Sequence, residues 1–296
     1  MEKSAAEMLK YICYNWMPTI ADHILDVPQD FYSAAGTKAL HSSENFDPLQ
    51  VKDNDLIFVK TDFIVNGLFQ RDYLDKIYRR FNLITGVSSY NIGRDGGDIY
   101  KKVLEHPNLN KWICTNPPDI EHEKIVPIPI GFQEPSRAGG NQEFLDEIHN
   151  KRLSFGKKKD LIFLPYHDPS TNTKRYDLIK YLSSLPFVIA QEKKQNLEEY
   201  YNSMNQYKFV IGLEGRGPDI HRNYEAMLVN SIPLNTKNVI QKVFNFHNAD
   251  AVFLNNWEEL NEGLLNKLLE IPYNMDRNKR FLEVENHISR VRKEIK

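Results

Sequence analysis

The chain is predicted to be an α/β protein of two Rossmann-like domains, on three observations. Short apolar runs rich in β-branched residues alternate with helical patterns along most of its length, the order expected of parallel, doubly wound sheets. The alternation stops once, between Glu134 and Lys159, where SRAGGNQ and GKKKD turn the chain polar, and resumes at Leu161. At 296 residues there is room for two domains, each with its own core.

Taken in order, residues 4 to 14 carry a short helical pattern, and 15 to 50 read as irregular, punctuated by Pro18, Pro28 and Pro48. DLIFVK, Asp55 to Lys60, is the first clear strand. It is followed by a turn, TDFIVNG, and a helix from Asp72 to Arg80. Asn82 to Thr85, Lys111 to Thr115 and Ile125 to Ile130 are the next strands, with a helix from Asp98 to Glu105 among them. In the second half LIFLP at 161 to 165 is a strand. The loop YHDPSTNT leads from it into a helix from Lys174 to Ser184, then FVIA is a strand and Leu197 to Asn205 a helix. AVFL at 251 to 254 is the last strand and Trp257 to Leu269 the helix after it. Phe281, Val284, Ile288 and Val291 give residues 276 to 295 one helical face.

The stretch with the most chemistry is Tyr207 to Asn235, YKFVIGLEGRGPDIHRNYEAMLVNSIPLN. Lys208 to Leu213 reads as a buried parallel strand, stopped by Gly215, Gly217 and Pro218. A helix starts just beyond, with Asp219 as its expected N-cap and Ile220, Tyr224, Met227 and Leu228 on its core face. Arg222 and Glu225 share an adjoining face one turn inside the N-terminus. Asn230 is placed to close the helix in the left-handed conformation before a strand at Ile232 to Leu234. Strand end and helix start then share the carboxyl edge of the sheet, where nucleotides bind because unpaired helix N–H groups meet phosphate.

The run EGRGPDIHRNYEAMLVNSIPL resembles the C-terminal signature of exostosin-like glycosyltransferases, in which a strand enters an E/R-G-x-G turn and then an H-R-x-x-E-A-L-x-x-x-x-I-P helix and strand. A second patch, LITGVSSYNIG at 83 to 93 followed by KWICTNPPDIEHEKIVPIPIGF at 111 to 132, is similar to that family's N-terminal domain. Relatives usually read closer to TGNSD in that patch, from which Val87 and Ser89 depart, and they carry Gly where this chain has Asn230. The resemblance implies the GT-B fold, two Rossmann-like domains facing each other across a cleft. The acceptor-side domain would span 1–150, the nucleotide-sugar domain 151–275, and a terminal helix over 276–296 would cross back to the first. It also implies a short, soluble viral or bacterial form of an inverting, metal-independent transferase, which moves a sugar from a UDP- or GDP-sugar to a glycan hydroxyl. In that reading Arg222 contacts the donor's diphosphate or base, Glu225 the ribose hydroxyls, and Gly215 and Gly217 admit close approach. Two other readings stay open, a nucleotide-sugar epimerase on the same scaffold and a catalytically silent nucleotide-sugar or glycan-binding module.

Other residues fall along the same edge. Glu214 ends the strand, and His221 either meets the phosphate or sugar or caps the turn. Arg175, with Lys174, opens the helix after LIFLP, where a phosphate would meet a cation and a helix dipole. Tyr166, His167 and Asp168 line the loop before it. For an acceptor-side base, Asp62 is the first choice because it follows LIFVK by two residues, with Asp95, Asp98 and Glu134 behind it.

Composition narrows the alternatives. Apolar residues at 41% and charged residues at 26% are the balance of a soluble globular protein. A net charge of −2, from 38 basic and 40 acidic residues, argues against a nucleic-acid binder. Cys13 and Cys114 are too few for a disulfide framework. The first residues lack a signal-peptide pattern and no membrane span is expected, so a cytoplasmic enzyme is expected. Asp53 and Asp55 form a D-x-D ahead of a strand rather than at its carboxyl end, and His122 stands between glutamates with no second ligand at metal spacing. No metal or other cofactor is therefore expected. Gly93, Gly96 and Gly97 read as a turn rather than a dinucleotide fingerprint.

Overall fold

The computed structural model describes residues 9–13, 16–26, 46–167 and 175–296. Expectations for residues 4–8, Asp168, Lys174 and most of the YHDPSTNT loop lie outside these. The chain falls into two compact units, Met1–Gln142 with Glu283–Lys296, and Glu143–Leu282.

The first unit is built on five parallel strands, β1 His23–Leu25, β2 Asp55–Lys60, β3 Phe81–Gly86, β4 Leu109–Cys114 and β5 Ile125–Pro127, in the order β1-β2-β3-β4-β5. Every strand lies beside its predecessor in sequence. The strands are mostly apolar because both faces are covered. Ile57, Val59, Leu83, Trp112 and Cys114 pack with Ile64, Phe69, Ile92 and Val103 on one face, and the alternating Phe58, Ile84 and Ile113 are equally buried on the other. Among the described residues the unit's first stretch carries the helices α1 Trp16–Thr19, α2 Thr61–Val65, α3 Leu68–Asp72, α4 Ile92–Gly96 and α5 Ile99–Leu104, and a terminal helix over 284–294 belongs to the same unit.

Several elements differ from expectation. The helix expected over 72–80 is displaced, since the chain is already helical in α2 and α3. Leu74 and Ile77, three residues apart and buried, are served by a single 3₁₀ turn at 74–76. The turn expected at 61–67 is largely helix, ended by Gly67 at φ +76°, where the Ile99 side chain leaves no room for a Cβ. The glycines at 93–97 lie in or beside α4, which Asn91 caps by accepting from the Arg94 N–H while Asp95 accepts from the Asn91 N–H. Residues 9–13 are extended rather than helical, with Tyr11 bridged to Glu283 and Cys13 to Phe132. Strand β1 falls in the stretch read as irregular.

The second unit has five parallel strands as well, β6 Lys159–Leu164, β7 Val188–Ala190, β8 Tyr207–Ile211, β9 Ile232–Thr236 and β10 Val252–Leu254. Their order is β10-β9-β8-β6-β7. The chain therefore steps from β6 to β7, returns past β6, and continues from β8 in the opposite direction. The helices are α6 Gln142–Asn150, α7 Arg175–Ser183, α8 Leu197–Met204, α9 His221–Leu228, α10 Ile240–His247, α11 Glu262–Leu269 and α12 Met275–Leu282. Right-handed crossovers put α7 on one face and α8, α9 and α10 on the other. Leu182 of α7 accordingly shares a core with Ile162, Leu164, Phe209 and Ile211, together with Leu265 and Leu268 of α11.

Helix α6 occupies part of the expected polar linker, burying Leu145 and Ile148. The apolar spacing of Ile240, Val243 and Phe244 makes α10, an element the sequence reading passed over. The helix expected over 257–269 is a 3₁₀ turn at 257–259 and then α11, restarted by Asn261, which accepts from the Leu264 N–H. The single helix expected over 276–295 is two, α12 and α13 Val284–Glu294. Glu283 between them is extended, in the backbone shape that its bridge to Tyr11 requires. No helix among the described residues is long and apolar enough to cross a membrane.

Candidate functional site at the strand-order reversal

In an open parallel sheet two neighbouring strands whose connections leave in opposite directions splay their loops apart at the carboxyl edge, and the gap receives ligands. The second unit has one such reversal, between β6 and β8. The loops there are 165–167, after β6, and 212–220, which leads from β8 to α9.

Two arginines tie these loops to each other. Arg175 opens α7, the helix that follows β6, yet its Nε and Nη2 donate to the carbonyls of Glu214 and Leu213 after β8, at 2.7 and 2.8 Å. Arg222 sits in the first turn of α9, the helix that follows β8, and its Nη2 donates to the Tyr166 carbonyl after β6, at 3.2 Å. Each strand's helix thus reaches across to the other strand's loop. The glycine turn serves this geometry, since a Cβ on Gly215 would stand 3.3 Å from Arg175 Nη2. At Gly212 a Cβ would fall 2.7 Å from both the Asn223 and Asn235 side-chain oxygens.

Arg222 and Glu225 are brought together through a third residue. Tyr200 of α8 donates its hydroxyl to Glu225 Oε2 at 2.6 Å and accepts from Arg222 Nε at 3.1 Å. The guanidinium also lies over the Tyr200 ring, 5.8 Å from its centroid. Burial, beside the Glu225 carboxylate, pushes the Tyr200 phenol far above its usual range, so it stays a donor. Among the described residues Arg222 Nη1 and Glu225 Oε1 make no hydrogen bond, which leaves one donor and one acceptor available beside the reversal.

His167 lies in the loop after β6, near enough to the two arginines to feel their charge. It is 5% exposed, and its Nδ1 is 2.7 Å from the Pro165 carbonyl, a bond that needs the proton on Nδ1. Burial, with Arg222 and Arg175 nearby, pushes its pKa down to about 2, so the ring is neutral.

Of the other expected residues, Glu214 is exposed, with Asn238 Nδ2 3.4 Å from its Oε1. Gly217 is buried in the turn and His221 is the half-buried first residue of α9. Asp219 is corrected as a cap: Ile220 holds the N-cap position without a side-chain cap, and the buried Asp219 accepts instead from the Tyr224 hydroxyl, 2.5 Å away. A buried phenol needs an acceptor, and this demand wins over the first-turn N–H groups. Ile220 itself is only partly buried, whereas Tyr224, Met227 and Leu228 form the expected core face.

In the first unit Asp62 lies in the first turn of α2, just past β2. One of its carboxylate oxygens is buried with no hydrogen-bond partner among the described residues. The other candidates have local partners, Asp95 accepting from the Asn91 N–H, Asp98 paired with Lys101 at 2.9 Å and Glu134 with Arg137 at 3.0 Å. Asp53 and Asp55 stay at the amino edge, Asp53 accepting from the Arg80 N–H and Asp55 from the Lys52 N–H beside His23. Among the described residues no group of three or more His, Cys, Asp or Glu is gathered for a metal.

Sequence reading missed Tyr200 and the Arg175 and Arg222 straps. The Tyr200-Tyr201 pair carries no spacing that marks its first ring as a bridge, and the straps end on backbone carbonyls, which any residue supplies. No protein-family model matches the chain, and no curated protein matches it.

Proposed function

We propose that the chain is a metal-independent, inverting glycosyltransferase of the GT-B class, working in the cytoplasm and moving a sugar from a nucleoside diphosphate sugar to a glycan hydroxyl. The observation that carries the donor half of this reading is the Arg222–Tyr200–Glu225 network beside the β6/β8 reversal. It sets a fixed cation and a carboxylate oxygen where nucleotides bind in open α/β sheets, next to the start of α9, whose N-cap residue Ile220 makes no side-chain cap. Arg222 and the N-terminal N–H groups of α9 supply positive charge for a leaving diphosphate, and Glu225 Oε1 an acceptor for ribose hydroxyls. The exostosin-like signature at 207–235 supports transfer as the chemistry and is the sole basis for inversion. In the GT-B division of labour the second unit holds the donor and the first the acceptor, with Asp62 taking the proton from the attacking hydroxyl.

The test is incubation of the full chain with a panel of UDP- and GDP-sugars, with and without acceptor glycans, in the presence and absence of EDTA. The reading expects rapid nucleotide release only with an acceptor, undiminished by EDTA. Interconversion of the free donor would make the protein an epimerase, and binding without turnover a binding module. Loss in EDTA restored by manganese would overturn metal independence.

A further inference from the structure

His167 contributes a buried acceptor that none of the described residues uses. Its Nε2 is buried without a hydrogen-bond partner, while its Nδ1 is held by the Pro165 carbonyl. Leaving such a nitrogen unpaired is unfavourable, so its presence in the loop beside the reversal asks for a reason. Protonation is not the remedy, because the two arginines and the burial keep the ring neutral. A neutral imidazole bonded through Nδ1–H presents only a lone pair at Nε2, and that lone pair repels phosphate oxygens, which are acceptors too. The arginines suit the anionic part of a ligand. His167 suits a part that donates.

We infer that His167 Nε2 accepts a hydrogen bond from an N–H or O–H group of the nucleoside in the bound nucleoside diphosphate, which makes His167 a specificity-determining residue of the donor site. This rests on the donor-site reading above. Two groups bring the same chemistry, an N–H of the base and a hydroxyl of the ribose, and a diphosphate without a nucleoside brings neither.

The experiment is calorimetry of the full chain with uridine diphosphate, guanosine diphosphate and inorganic pyrophosphate, comparing wild type with His167→Phe and His167→Gln. His167→Phe is expected to weaken the nucleoside diphosphate about fivefold, the worth of one neutral hydrogen bond, and to leave pyrophosphate unchanged. His167→Gln, whose amide oxygen can replace Nε2, is expected to recover most of the loss. On wild type, methylating the donating base nitrogen (N3 of uridine or N1 of guanosine diphosphate) reproduces the loss if the base is read. The 2′- and 3′-deoxy nucleotides reproduce it if the ribose is read. Equal nucleoside diphosphate affinity in wild type and His167→Phe would overturn the inference and leave the donor site standing. An equal fall for pyrophosphate would make His167 structural and overturn it too. Wild type that binds neither nucleoside diphosphate would bring down the donor-site reading and this inference together.

Discussion

The two units use the same parts in different order. Both have five parallel strands, but the first runs β1-β2-β3-β4-β5 without a reversal, and the second reverses between β6 and β8. A sequential sheet sends every connection off in the same direction, so its carboxyl edge is closed over by successive loops. In the first unit that edge is finished with internal bonds: Thr61 donates to the Gly86 carbonyl, and Asn91 Nδ2 to the Pro117 carbonyl. At the same edge of the reversed sheet, two arginines, a phenol and a neutral imidazole lie beside the reversal. Strand order thus gives the second unit a reversal for its loops to flank and gives the first unit no counterpart.

The sharpest way to break that contrast is at Asp62. Asp62→Asn is expected to slow transfer by roughly 10²- to 10⁴-fold while leaving donor affinity untouched. Loss of donor binding in the same variant would show that the units do not divide the work. Next in size, Arg222→Ala and Glu225→Ala are each expected to weaken nucleoside diphosphate binding on the order of tenfold to a hundredfold, read by calorimetry on variants whose circular dichroism is unchanged. Wild-type affinity in both would remove the donor site from the reversal.

A third test uses the opposite, amino edge of the second sheet, where Lys158 is 5% exposed and its ammonium donates to the Asn205 carbonyl and side-chain oxygen. Burial pushes its pKa down to about 7, below its unfolded value near 10.5. Between those values the unfolded chain binds the proton and the folded one does not, so stability should rise with pH from about 7 toward about 10.5, by at most about 1.4 kcal/mol per unit. Lys158→Met should flatten that rise in a melting series, and an unchanged slope would assign it to other groups. The smallest effect is expected at Val87, a β-branched residue held at φ +57° after β3. Val87→Asn should raise stability by about 1 kcal/mol, since asparagine tolerates the left-handed region. A fall in melting temperature would mean that the valine side chain is worth more than the strain.

How far the sequence reached depended on whether the deciding partner was a side chain with a pattern or a stretch of backbone. DLIFVK matches β2 at both ends because a strand buried on two faces must be apolar almost throughout. Asn230, expected in the left-handed region, has φ +59°. The position of Arg222 and Glu225 one turn into α9 was equally legible, since it follows from helical spacing. Their link was not, because Tyr200 lies on another helix and meets them only through the fold. Arg175 read as a phosphate cation, and its two strong bonds to carbonyls 38 and 39 residues away had no mark in the chain. Asp219 shows the limit from another side: an aspartate before a helix is a sound cap until a buried tyrosine five residues on competes for it.

The crossed arginines also set how this edge of the protein breathes. Because Arg175 is rooted after β6 and holds the β8 loop, while Arg222 is rooted after β8 and holds the β6 loop, neither loop can open without releasing a bond anchored in the other. Amide hydrogen exchange in the two loops should therefore be governed by one opening event with a common free energy rather than two. A ligand that seals one side would slow exchange on both.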